Sequence, residues 1–103
     1  MAKLIYSRDS RADLREIAQF TREQWGDAQA DRYLDQLHAC CEQVARTPGM
    51  GRAIESTGYR RLEQGAHAVF YQVTDAGDVH VVRILHARML PERHLVDDDK
   101  SSD

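Results

Sequence analysis

His67-Ala-Val-Phe-Tyr-Gln-Val-Thr74, Asp75-Ala-Gly-Asp78 and Val79-His-Val-Val-Arg-Ile-Leu-His86 follow one another without a break. The outer stretches are rich in β-branched and aromatic residues, and the middle one carries a turn signature. Together they predict a β-hairpin. On strand parity, Val69, Tyr71 and Val73 share one face of the first strand, and Ala68, Phe70 and Gln72 share the other. In the second strand Val79, Val81, Arg83 and Leu85 alternate with His80, Val82, Ile84 and His86. Both faces hold apolar residues. We assign Val82 and Ile84 to the covered face, which sends Arg83 to the open one.

The cover comes from upstream. Lys3–Ser7, centred on Leu4, Ile5 and Tyr6, reads as a short strand. Ser7 can cap a following helix, with Asp9 in its first turn. That helix runs to about Trp25, with Leu14, Ile17, Ala18, Thr21 and Trp25 as its apolar stripe. Gly26 stops it, and Asp27 is the expected N-cap of a second helix reaching about Thr47. Its stripe is Ala30, Leu34, Leu37, Cys41, Val44 and Ala45. Pro48-Gly-Met-Gly51 is a loop, Arg52–Gly58 a polar connection, and Tyr59–Glu63 a further short strand. The order β-α-α-β-β-β predicts an α+β domain with a helical hairpin on one face of a small antiparallel sheet, the first strand adding at an edge.

With 103 residues, one domain is expected, spanning 1–96, with an acidic tail over 97–103 expected to lack fixed structure. The net charge of −3 belongs to that tail (Asp97, Asp98, Asp99, Lys100 and Asp103), and residues 1–96 balance 13 Lys plus Arg against 13 Asp plus Glu. A neutral domain argues against a nucleic-acid partner, which calls for a basic surface. No run has transmembrane length and no signal sequence opens the chain, so no membrane contact and a cytoplasmic location are expected. Adjacent Cys40 and Cys41 point about 100° apart on a helix, so one is expected in the core and the other half-exposed, as free thiols. His38, His67, His80, His86 and His94 lack metal-site spacing, and no nucleotide or hydrolase motif is present, so no metal, cofactor or catalytic residue is expected. Arg60, Arg61, Arg83, Arg88 and Arg93 exceed what folding needs. Converging, they would stabilise a phosphoryl transition state or anchor an interface.

Several stretches together resemble the ParE branch of the ParE/RelE toxin superfamily. They are Asp13-Leu-Arg-Glu-Ile17, Trp25-Gly26, Ala30-Asp-Arg-Tyr-Leu34, Pro48-Gly-Met-Gly51, Tyr59-Arg60, His67-Ala-Val-Phe-Tyr71, Arg83-Ile-Leu-His86, Arg88-Met89 and Glu92-Arg-His-Leu95. The resemblance spans residues 3–95 and implies the same β-α-α-β-β-β fold. It implies a non-enzymatic toxin of a type II toxin–antitoxin system that inhibits DNA gyrase, blocks replication and growth, and is neutralised by a ParD-like antitoxin. A hetero-oligomer with a dimeric antitoxin is the expected assembly. The alternative is a RelE-like ribosome-dependent mRNA endonuclease, with a basic active site and a C-terminal tyrosine or histidine. This chain departs from that pattern: its lysines are Lys3 and Lys100, and no tyrosine follows Tyr71. The candidate gyrase-binding residues are Arg60, Arg61, Arg83, His86, Arg88, Met89, Arg93 and His94. The candidate antitoxin-binding residues are Phe20, Trp25 and Tyr33, large aromatics at the edges of the helical stripes.

Overall fold

The structure is a computed structural model that describes residues 3–86. Arg88, Met89, Arg93, His94 and the acidic tail lie outside the described residues.

Two helices lie on one face of a five-stranded sheet. Strand β1 (Leu4–Tyr6) leads into α1 (Arg8–Trp25), and α2 (Asp27–Arg46) returns. A 3₁₀ turn (Pro48–Met50) precedes β2 (Arg52–Ala53), β3 (Arg60–Gln64), β4 (His67–Val73) and β5 (Val79–His86). The sheet order is β1-β5-β4-β3-β2. Strands β3, β4 and β5 form the expected antiparallel meander, β2 adds a fourth antiparallel strand, and β1 joins the other edge parallel to β5, which makes the sheet mixed. The two-residue strand β2 sits in what the sequence offered only as a polar connection.

The helix ends follow local chemistry. The Ser7 hydroxyl accepts the Ser10 amide at 2.9 Å and donates to the Val82 carbonyl at 2.9 Å, tying the start of α1 to β5. Gly26, at φ +92°, ends α1 and also starts α2. Asp27 is therefore the first residue of α2 rather than its cap, and its carboxylate still favours the helix N-terminus. With a glycine in that conformation, the hairpin needs no further linker.

The main core joins Ile17 of α1 with Leu37, Cys41 and Val44 of α2 and with Val69, Tyr71, Val79, Val81 and Ile84 of the sheet. Cys41 is buried and Cys40 half-buried, both free, as helical geometry required. Trp25 does not complete the α1 stripe: it is 68% exposed. The buried positions of α1 are instead Ser10, Asp13, Ile17 and Thr21.

The parity assignment of β5 is half corrected. Ile84 faces the helices, but Val82 packs on the opposite face with Ala68, Phe70, Leu85 and Ile54. The reason is a bulge. Phe70 pairs with Arg83 and Tyr71 with Val81, so Val82 is the extra residue on its strand. A single added residue inverts the alternation on either side of it. Val79 and Val81 before the bulge and Ile84 after it therefore reach one core. Arg83 does not lie on an open face. It reaches α1.

Candidate functional site

Arginine in or beside a sheet needs a partner for its charge, and Arg60, Arg61 and Arg83 each have a different one. Arg83 donates from Nε and Nη2 to the two carboxylate oxygens of Asp13 at 2.8 and 2.9 Å. This forked bond holds its guanidinium above the ordinary arginine value. The same carboxylate accepts the Ile84 amide at 2.9 Å. Strand β1 ends opposite Val81, so Asp13 supplies the acceptor that a continuing strand would have given to Ile84.

Arg60 turns to the other end of the sheet. It donates to the Gly51 carbonyl from Nε at 3.0 Å and Nη2 at 2.6 Å. Beside it the Tyr71 hydroxyl accepts the Gly51 amide at 2.9 Å and donates to the Pro48 carbonyl at 2.8 Å. Arg61, its neighbour, alternates to the opposite face. It lies 5.8 Å from the Phe70 ring centre and pairs with Glu63 at 2.6 Å. The structure does not bring Arg60, Arg61 and Arg83 together, and each has a folding role.

A different set meets at the far end of β4 and β5. His67 and His86 are cross-strand partners, with ring centres 5.4 Å apart, edge to face. Tyr33, from α2, places its hydroxyl 2.6 Å from His67 Nδ1. That hydroxyl also accepts the Ala66 amide at 3.1 Å and lies 3.2 Å from the Gln64 carbonyl, pinning the β3–β4 turn. Burial, and then the neighbouring His86, push His67 below the usual imidazole value, so it is neutral at physiological pH. Burial raises the Tyr33 hydroxyl. An open groove of about 240 Å³ runs from His67 and His86 past Arg83 to Glu16 and Phe20 of α1. Phe20 is 59% exposed there. The groove thus joins Phe20, proposed from sequence for one partner, to Arg83 and His86, proposed for another.

A second groove, about 420 Å³, lies between α1 and α2. Leu14, Ala18, Leu34 and Leu37 give it an apolar floor. Arg15 and Arg22 of α1 and Asp35 and His38 of α2 line it with charge. At its base the Tyr6 hydroxyl is 2.9 Å from His38 Nδ1, and His38 Nε2 is 3.2 Å from Glu42. Burial raises the Tyr6 hydroxyl and pushes the Cys41 thiol up to about 11. Both keep their protons at neutral pH and are poor nucleophiles. Sequence reasoning missed this groove because its floor comes from stripe residues that a helical pattern assigns to the core. Neither Trp25 nor Tyr33 lines it.

The chemistry of the first groove suits protein contact better than phosphate contact. Glu16 and Asp13 put carboxylates in it, and Arg83 is already neutralised there. Lys3 lies before β1 and lines neither groove. Among the described residues no three potential ligands cluster to hold a metal, and no helix is long and apolar enough to cross a membrane.

The family described as "ParE toxin of type II toxin-antitoxin system, parDE" matches residues 4–91. The chain belongs to the ParE toxin family. It is 40% identical over 96 residues to Toxin ParE1 of Mycobacterium tuberculosis, covering 91% of this chain and 98% of that protein. Among solved structures it resembles a chain of the chromosomal ParDE toxin–antitoxin system from P. aeruginosa, with a TM-score of 0.72 at 22% identity over 84% of this chain and 96% of that one. It also resembles a chain of the RelBE2 toxin–antitoxin complex from Mycobacterium tuberculosis, with a TM-score of 0.64 at 17% identity over 82% and 96%. The fold is therefore common to ParE and RelE proteins, and the family assignment rests on sequence. The chain is the toxin component of a type II toxin–antitoxin system.

Proposed function

We propose that this ParE-family toxin acts by protein–protein contact on DNA gyrase, blocks replication and growth without being an enzyme, and is neutralised in the cytoplasm by a ParD-like antitoxin. Identity to Toxin ParE1 over nearly the whole chain carries the reading. Carboxylates of Asp13 and Glu16 in the first groove, with Arg60, Arg61 and Arg83 engaged in folding contacts, support it against the RelE-type nuclease. Exposed Phe20 and Trp25 on α1, with Tyr33 behind the first groove, support an antitoxin segment laid along the helical hairpin. A dimeric antitoxin would then carry two toxins. The gyrase-binding candidates in this reading are His86 at the end of β5 and, later in the sequence, Arg88, Met89, Arg93 and His94, while Arg60, Arg61 and Arg83 serve the fold.

The test is a supercoiling assay with purified gyrase and this toxin, with and without the antitoxin encoded beside it. Inhibition that rises with toxin and disappears with antitoxin is expected. Undiminished supercoiling at a large molar excess of toxin sinks the proposal. Cleavage of ribosome-bound mRNA in a parallel reaction would reassign the chain to the nuclease branch, with His67 and His86 as its proton carriers.

A further inference from the structure

One edge of the sheet has no role in that reading. Strand β2 pairs only with Arg60 and Arg61, so Leu62–Gln64 run past it with no strand alongside among the described residues. The chain leaves the sheet there because Gly51 is held in place by Tyr71 and Arg60. Backbone groups in an antiparallel ladder alternate between one neighbour and the other. The two-residue turn Gly65-Ala66 makes Gln64 and His67 a bonded pair, so Leu62 and Arg60 also bond to β4. Arg61 and Glu63 therefore bond outward. Arg61 meets Arg52, and Glu63 meets no strand.

An open groove of about 330 Å³ lies along this edge, lined by Met50, Arg52, Arg61, Leu62 and Glu63. Its charge is unbalanced. Arg52 stands directly opposite Arg61, a like-charged cross-strand pair that costs stability. Arg61 has Glu63, but its Nε is buried with no acceptor among the described residues. Arg52 is exposed and has no ion pair among them. Met50, 40% exposed, adds an apolar contact.

We propose that this edge is a second docking site, separate from the helical grooves, which takes an extended acidic segment of a partner protein as an added strand. The segment's backbone pairs with the N–H and C=O of Glu63. A carboxylate on it settles between Arg52 and Arg61, and an adjacent apolar residue rests on Met50 and Leu62. Strand addition draws affinity from main-chain bonds and selectivity from alternate side chains, and this edge offers both. A polynucleotide fits it less well: Glu63 would face its phosphates, and residues 3–86 hold 11 Lys plus Arg against 12 Asp plus Glu.

The probe is a synthetic peptide of alternating valine and glutamate, titrated into the isotope-labelled full chain and followed by amide shifts and amide exchange. Shifts centred on Leu62–Gln64 and slowed exchange of the Glu63 amide are expected. The same peptide with lysine for glutamate, or with N-methyl groups on its pairing amides, should bind about tenfold more weakly. Arg52→Glu should weaken binding by a similar factor without lowering the melting temperature, since it replaces a like-charged cross-strand pair with an opposite one. The inference is overturned if the acidic peptide leaves Glu63 unmoved, if N-methylation has no effect, or if a single-stranded oligonucleotide binds the edge more tightly. None of these outcomes depends on whether the toxin inhibits gyrase.

Discussion

Replacing Asp13 by alanine should be among the most damaging single changes in this fold. The carboxylate is nearly buried and accepts three hydrogen bonds, two from Arg83 and one from the Ile84 amide. Ile84 is 2% exposed, so its orphaned N–H has no route to water, a penalty of ~1–3 kcal/mol. The Arg83 side chain is 30% exposed and regains water, so its share is discounted to about 1 kcal/mol. The total, about 2–4 kcal/mol, is a large part of the 5–15 kcal/mol typical of a domain. For a chain of this size it corresponds to a fall of roughly 10–25 °C in melting temperature. Asp13→Asn keeps an acceptor for Ile84 and loses only the charge, so it should fall between alanine and the parent chain. In an Arg83→Gln background, Asp13→Ala should lose only the Ile84 share. Urea unfolding followed by circular dichroism measures all of these. Loss of less than ~0.5 kcal/mol in Asp13→Ala, or equal losses in the alanine and asparagine variants, would refute the idea that this carboxylate stands in for a strand.

Three further outcomes are expected. Tyr71→Phe should cost ~1–3 kcal/mol in the same assay, because the Gly51 amide and Pro48 carbonyl lose their partner. His67 is neutral in the fold and its value is lowered, so the unfolded chain binds its proton first. Stability is then full above pH about 6.5 and lost as pH falls through the folded value, and the denaturation midpoint of His67→Gln should show a shallower pH slope. Phe20→Ala and Trp25→Ala should each change stability by under ~0.5 kcal/mol, given their exposure, yet weaken antitoxin binding by about tenfold or more in calorimetry.

Much of the fold was legible because its signals are local. Ser7 as a cap, Gly26 between helices, the Asp75–Asp78 turn and the α2 stripe each need only a few neighbouring residues. What could not be read is long-range. The bulge at Val82 depends on how β5 meets β4 and the start of α1, and a period-two pattern holds no trace of it. Arg83 likewise has its partner 70 residues away, on a helix whose polar positions look solvent-facing. The candidate site was less legible still. Arg60, Arg61 and Arg83, in excess of apparent need in the sequence, make folding contacts, while the Tyr33–His67–His86 cluster joins three elements and has no sequence signature. Phe20, singled out from the sequence as an edge aromatic, is exposed, and its neighbours in the groove were not foreseen.

The parallel pairing of β1 with β5 joins Leu4–Tyr6 to Val79–Val81, nearly the two ends of the described chain. Such a closure is entropically slow and must await both partners. During synthesis the first strand therefore stays without its mate until the last one has emerged. A message truncated before codon 79 yields a product that has no way to complete the sheet. Synthesis through β5 is in this sense a safeguard, since only chains that reach it acquire the sheet that a partner or a target could recognise.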